Sequence, residues 1–333
     1  MRIAVDAMGG DYAPGEIVAG AVQAARGIDL ASKIILVGDE AAVRRELAKC
    51  GSVPRKIEVL HASEAIGMAE SPASAVRKKK DSSINRAIDL VKHGQADAFV
   101  SAGNTGAVVV SASLKLRTLD RVRRPAIATV MPTCEKPFVL IDAGANIDSD
   151  AALLAQFAVM GSVYSREILH NASPVVGLMS IGEEDTKGSE VTKEAFRILS
   201  GSKLNFRGNI EGHDLFEGDT DVVACDGFMG NVVLKTSESV SRAIVSLIKT
   251  EFSQNLSRKF GAMFLYGAIR KMKKKMDPEL HGGAPLLGVN GVCIITHGAS
   301  SWRAIYNAIR VACESIHQRL NVQIVEELKR NGF

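Results

Sequence analysis

Short apolar runs rich in β-branched residues recur along the chain, at 3–5, 34–37, 57–60, 98–100, 126–130, 138–141, 175–179, 222–225 and 292–295. Each is too short for a helix and is bounded by Gly, Asp, Asn or Ser, so each reads as a buried strand. Most segments between them are long enough for a helix and carry apolar residues at helical spacing. Alternating strands and helices predict an α/β fold, three αβα layers around a mainly parallel sheet, in a single domain over 1–333. One stretch breaks the alternation. From 237 to 279 two helical patterns follow one another with no strand between, Val240, Ala243, Ile244, Leu247, Ile248 and then Phe260, Met263, Phe264, Ala268, Ile269, Met272. They predict a helical hairpin projecting from the domain.

In parallel sheets ligands collect at the carboxyl ends of strands, and the polar residues gather there. The first strand runs into Asp6, Gly9, Gly10 and Asp11. Later strands run into Ser101, Gly103, Asn104, Thr105 and Gly106; Asp142 and Asn146; Ser180 and Lys187; Asp226, Gly227, Gly230 and Asn231; and His297, Gly298 and Ser300. Two of these tips share a grammar. An Asp, Asp97 or Asp221, precedes an apolar run, and Gly-x-x-Gly follows six positions after the Asp. Glycines there permit a tight turn and leave free N–H groups at the start of a helix, where anions bind. Six tips of this kind predict one wide rim of donors, against the plainer reading of ordinary turn chemistry.

Composition narrows the class. A chain of 333 residues, 46% hydrophobic and 23% charged with net charge +4, is a globular protein and not a general nucleic-acid binder. The five cysteines are widely spaced and without Cys-x-x-Cys, which reads as reduced thiols and no zinc site. Met1-Arg-Ile-Ala-Val-Asp reads as a strand rather than a leader, and no run is apolar enough to span a bilayer. The expected location is the cytoplasm, with a peripheral membrane contact at most.

Glycines with Asn, Thr and Ser, joined by one Lys and one His, suit orthophosphate and the oxyanion of an acyl-transfer transition state. No Walker loop, dinucleotide fingerprint or Gly-x-Ser-x-Gly elbow occurs, so no cofactor is implied. Cys225 lies inside an apolar run and reads as a buried thiol. The strand-end aspartates read as caps rather than metal ligands. With no side-chain nucleophile, the phosphate itself is the expected attacking group.

Asp6-Ala-Met-Gly-Gly-Asp11, Ser101-Ala-Gly-Asn-Thr-Gly-Ala107, Asp142-Ala-Gly-Ala-Asn146, Met160-Gly-Ser-Val-Tyr-Ser165, Asp226-Gly-Phe-Met-Gly-Asn231 and His297-Gly298 resemble, in order and context, the bacterial phosphate acyltransferases of phospholipid synthesis. The resemblance runs from residue 1 to about 325. It implies transfer of a long fatty acyl chain from acyl carrier protein to inorganic phosphate, a homodimer, and a fold like that of isocitrate and isopropylmalate dehydrogenases. Tyr12 stands where a histidine is expected and Ala299 where a serine is, so neither enters the site. Lys187, Asn231 and His297 are the expected catalytic groups. Asp6, Gly9, Gly10, Asn104, Thr105, Gly106, Asn146, Asp226, Gly227 and Gly230 are the expected contacts to phosphate or acyl-phosphopantetheine.

Partners follow from local charge. Arg77, Lys78 and Lys79 form a basic patch fit to steer an acidic carrier protein. Between Arg258 and Lys275 stand seven Lys or Arg and no acidic residue, beside Phe264, Leu265 and Tyr266 at the expected hairpin tip. That combination suits an anionic membrane surface, where the acyl product would pass to a membrane glycerol-phosphate acyltransferase. The hairpin serves equally as a dimer contact. Two rival functions share these features: a phosphotransacetylase using short-chain acyl-coenzyme A, and a non-catalytic scaffold for acyl carrier protein.

Overall fold

A computed structural model describes residues 1–133, 135–275 and 277–333, leaving aside the side chains of residues 256, 259–262, 266, 273, 274 and 278. The strands are β1 (Arg2–Asp6), β2 (Lys33–Gly38), β3 (Ile57–His61), β4 (Ala98–Ser101), β5 (Ala126–Met131), β6 (Phe138–Ile141), β7 (Val175–Met179), β8 (Asn205–Ile210), β9 (Val222–Ala224), β10 (Ala284–Leu287) and β11 (Val292–Ile295). The helices are α1 (Gly15–Gly27), α2 (Glu40–Lys49), α3 (Pro72–Lys78), α4 (Ser83–Lys92), α5 (Thr105–Lys115), α6 (Ala151–Ile168), α7 (Glu190–Ser200), α8 (Gly227–Ser253), α9 (Leu256–Lys275), α10 (Trp302–His317) and α11 (Leu320–Arg330).

One sheet holds all eleven strands in the order β3-β2-β1-β4-β11-β10-β5-β6-β9-β7-β8. Because β-strand side chains alternate between faces, each strand feeds two cores. Ile3, Val5, Ile34, Leu36 and Val100 pack under α1, α2 and α10, whereas Ala4, Ile35, Val37 and Phe99 pack under α3, α4 and α5. In the other half Val139, Ile141, Val176 and Leu178 meet α6, α7 and α11, and Phe138, Leu140 and Val223 face Val233 and Leu234 of α8. The layering is helix, sheet, helix throughout.

Pairing is mainly parallel, as expected, but β10 runs antiparallel to β11 and β5, and β5 antiparallel to β6. The two parallel halves, β3-β2-β1-β4-β11 and β6-β9-β7-β8, therefore run in opposite directions. This corrects the expectation of a single rim: the carboxyl ends form two groups, β1, β4 and β11 in one and β6, β7 and β9 in the other. Two strands, β8 and β10, were not expected from the sequence pattern. The hairpin is present as α8 and α9, and α8 begins ten residues before the expected start, at the Asp226-Gly227 turn itself. Among the described residues no helix is long and apolar enough to cross a membrane.

Candidate active site

The first group of turns is built around Asp6. Its carboxylate is fully buried at the end of β1, accepting from Ser101 Oγ (2.7 Å) and the Met8 N–H (3.1 Å). Ser101 Oγ in turn accepts from the Gly103 N–H at 2.9 Å, so one carboxylate ties the β1 and β4 tips together. Burial pushes the Asp6 pKa above its ordinary value. A Cβ on Gly9 would collide with the Asp6 carboxylate and would stand 2.6 Å from Gly103 N, so only glycine lets the turns approach. The β11 tip joins them, since Asp11 N–H donates to the Gly298 carbonyl at 2.8 Å. Asn104 caps α5 by accepting from the Ala107 N–H at 3.0 Å. The Thr105 and Gly106 N–H groups, first in that helix, have no protein acceptor among the described residues, which leaves them open to an anion. His297 is exposed just after the β11 tip, and its Nδ1 accepts from the Ala299 N–H at 3.1 Å.

The second group is built around Asp142 at the end of β6. Five N–H groups point at its buried carboxylate, those of Ile127, Gly144, Ala145 and Asn146 and the Asn146 side-chain amide. Burial outweighs them and holds its pKa above the usual carboxylate range. Asp226 caps α8 by accepting from the Met229 N–H at 2.8 Å. Gly227 and Gly230 are packed against this loop: a Cβ on Gly227 would lie 2.5 Å from the Asn146 carbonyl oxygen, and one on Gly230 would overlap the Asp142 carbonyl. Asn231 is exposed next to Gly144. Cys225 is buried beneath, and desolvation first, then Asp142 and Asp226, push its thiol well up, so it remains protonated and unreactive.

The fatty acid synthesis protein family model matches residues 1–323. A phosphate acyltransferase of Halothermothrix orenii is 48% identical over the full length of both chains. One of Pelotomaculum thermopropionicum is 50% identical over 96% of this chain and 93% of its own. The chain belongs to the phosphate acyltransferase family. Its fold is also that of more distant proteins. A phosphotransacetylase of Streptococcus pyogenes superposes with TM-score 0.62 at 19% identity over 95% of this chain and 93% of that one. A 4-hydroxythreonine-4-phosphate dehydrogenase of Salmonella typhimurium gives 0.52 at 14% identity, over 94% and 99%.

The expected contact residues divide by what their polar atoms already do. Asn104 donates to the carbonyls of Gly67, Met68 and Glu70, and Asn146 to the Pro125 carbonyl and Asp142. Both amides are engaged within the fold. The Gly230 N–H is likewise donated to the Asp226 carbonyl within the first turn of α8. Asp6 and Asp226 act as tie and cap. Thr105, Gly106, Asn231, Lys187 and His297 remain available; Lys187 is exposed on the loop after β7, its side chain against Gly182. Among the described residues no hydrogen bond or ion pair joins Lys187, Asn231 and His297.

In the basic patch, Arg77 and Lys78 are exposed at the end of α3, but Lys79 is paired with Glu70 at 2.6 Å and donates to the Ala65 carbonyl. It is a structural fastening, not the free charge expected. On the hairpin, Phe264 is 84% and Leu265 50% exposed, but they lie mid-way along α9 and not at the expected tip, since the turn between α8 and α9 falls at 254–255; the expected contact at Tyr266 lies outside the described side chains. Asp142 was named at the β6 tip but left out of the expected contacts, although it organises the second group of turns. Its signal was present, since Gly144, Ala145 and Asn146 follow it as an Asx-type turn would.

Proposed function

We propose that this acyltransferase transfers a long-chain acyl group from acyl carrier protein to inorganic phosphate, giving the acyl phosphate used in phospholipid synthesis. The full-length likeness to phosphate acyltransferases carries the reading, and the open N–H groups at the start of α5 supply its chemistry. Thr105 and Gly106 hold orthophosphate by their main-chain N–H groups, and the helix N-terminus favours its charge. A phosphate oxygen attacks the thioester carbonyl directly, the C–S bond breaks, and the pantetheine thiolate leaves and takes a proton. His297 donates that proton or a hydrogen bond to the oxyanion. Lys187 and Asn231 stabilise the same oxyanion from the second group of turns.

This requires the two groups to face one cleft. Sheet twist supports it: at roughly 20–25° per step, the five steps from β4 to β9 accumulate roughly 100–125°. That swings the reversed β9 tip toward the side on which β4 ends. Ala143, Ala145 and Leu234 also pack on the core beneath α5. The same α/β framework is of the isocitrate and isopropylmalate dehydrogenase type. Arg77 and Lys78 receive the acidic carrier protein. The exposed apolar positions of α8 and α9 form a homodimer contact and, at Phe264 and Leu265, rest on anionic membrane, so the enzyme is cytoplasmic and peripheral. A downstream membrane glycerol-phosphate acyltransferase takes the product there.

Incubating purified protein with orthophosphate and either long-chain acyl carrier protein or acetyl-coenzyme A tests this. Acyl phosphate from the first donor is expected. Acetyl phosphate from the second alone would make it a phosphotransacetylase, and no product from either would leave a scaffold.

A further inference from the structure

Residues 64–82 leave the sheet edge after β3 and return before α4, closed at the base like a flap. Ser63 N–H and Oγ donate to Asp81 Oδ2 (2.9 and 2.6 Å), Asp81 N–H to Glu64 Oε2, and Ser83 N–H to the Glu64 carbonyl. Asn85, buried in α4, holds the far side by donating to the Val76 and Lys79 carbonyls. The tip of the flap lies on the start of α5. There the single amide of Asn104 gathers three carbonyls of the tip, at 3.3, 3.0 and 3.1 Å. Pro72 abuts Gly106, where a Cβ would stand 2.6 Å from its ring, and Met68 reaches Gly298 on the β11 tip. The tip is stiffened from within by Glu70, whose Oε1 accepts from the Gly67 N–H and Lys79 Nζ, both at 2.6 Å. Lys79 Nζ also donates to the Ala65 carbonyl.

We infer that this tip is a strap across the phosphate-binding start of α5, and that Asn104, Glu70 and Lys79 are positioning residues that hold it shut. The inference rests on the proposed phosphate site. The strap walls one side of the Thr105 and Gly106 N–H groups, so an anion there is bound in a partly enclosed place rather than against bulk water, where attraction is stronger. The same flap carries Arg77 and Lys78 on α3, so carrier docking and phosphate binding share one unit of structure. Lys79, committed to Glu70, is not among the charges offered to the carrier.

The test uses Glu70, which touches no substrate. In Glu70→Ala the KM for phosphate rises roughly threefold to tenfold with kcat within about twofold, the signature of lost ground-state binding. Glu70→Gln, which keeps an acceptor for Gly67 and Lys79, restores most of it. The KM for acyl carrier protein stays level or falls, because Lys79 is released toward the carrier. Thermolysin cuts between Ile66 and Met68 faster in Glu70→Ala, and orthophosphate protects the wild type better than the variant. An unchanged phosphate KM, or cleavage no faster than wild type, overturns the strap. A wild type that makes no acyl phosphate would instead remove the proposed function, and the cleavage and phosphate-protection rates would still decide whether the strap exists.

Discussion

Gly230→Ala puts the second group of turns under direct test. The added Cβ would overlap the Asp142 carbonyl oxygen and stand 2.9 Å from its carbon and 3.0 Å from Cys225 Sγ. None of these atoms can move cheaply. The carbonyl belongs to the β6 tip, held by the five donors on the Asp142 carboxylate, and Cys225 is buried in the core. Overpacking of this kind costs about 1–3 kcal/mol, the upper end where main chain must shift. In a chain of this size that lowers Tm by about 1–4 °C. The displaced turn carries Asn146, Gly144 and the start of α8, so acyl phosphate formation should fall about tenfold to a hundredfold. Gly267→Ala is the control. It lies within α9 with nothing inside 4 Å of its Cβ, and should gain about 0.5–1 kcal/mol from helix propensity. Thermal unfolding and a phosphate-dependent acyl transfer assay read both. If Gly230→Ala matched wild type in Tm and turnover, the close packing of α8 on the Asp142 loop would have no energetic meaning.

Lys187→Ala should lower kcat roughly a hundredfold, as removal of an oxyanion donor does; near-normal kinetics would take Lys187 out of the site. Arg77→Glu with Lys78→Glu should raise the KM for acyl carrier protein severalfold, in a manner that weakens with salt, and an unaltered value would clear α3 of docking. Leu265→Glu should release the protein from anionic vesicles while turnover of soluble substrates persists; retention on vesicles would count against the exposed apolar face of α9. Asp6 has a folded pKa raised above its ordinary 3.8, so its protonated form supports the fold below that value and the support is lost as pH rises through the folded pKa. The urea midpoint of wild type relative to Asp6→Asn should therefore decline with pH above about 4, and a constant difference would show that burial does not disturb this carboxyl.

Nine strands stand out in the sequence because parallel strands buried on both faces are nearly continuous apolar runs. β8 does not, since Asn205, Arg207, Gly208 and Asn209 make it a polar edge strand. β10 is a four-residue run containing Pro285, a residue that usually argues against a central strand. The reversal of direction was legible and went unread. Only residues 132–137 separate β5 from β6, too few for a parallel crossover. The glycine tips were visible as sequence. What the pattern could not show is which polar atoms were already engaged, because Asn104 and Asn146 find partners 34–37 and 21 residues away. Lys79 was counted with its neighbours for the same reason: its partner Glu70 lies across a turn, not on the same helix face.

The strand order has a bearing on biogenesis. Residues 284–295 are wedged between β4 and β5, which precede them by roughly half the chain. Until they emerge, each of those early strands offers a bare hydrogen-bonding margin to other chains. At roughly 5–20 residues per second, that interval lasts roughly ten to forty seconds on the ribosome. The two halves of this protein thus wait for their keystone, and nascent-chain chaperones have that long to shield them.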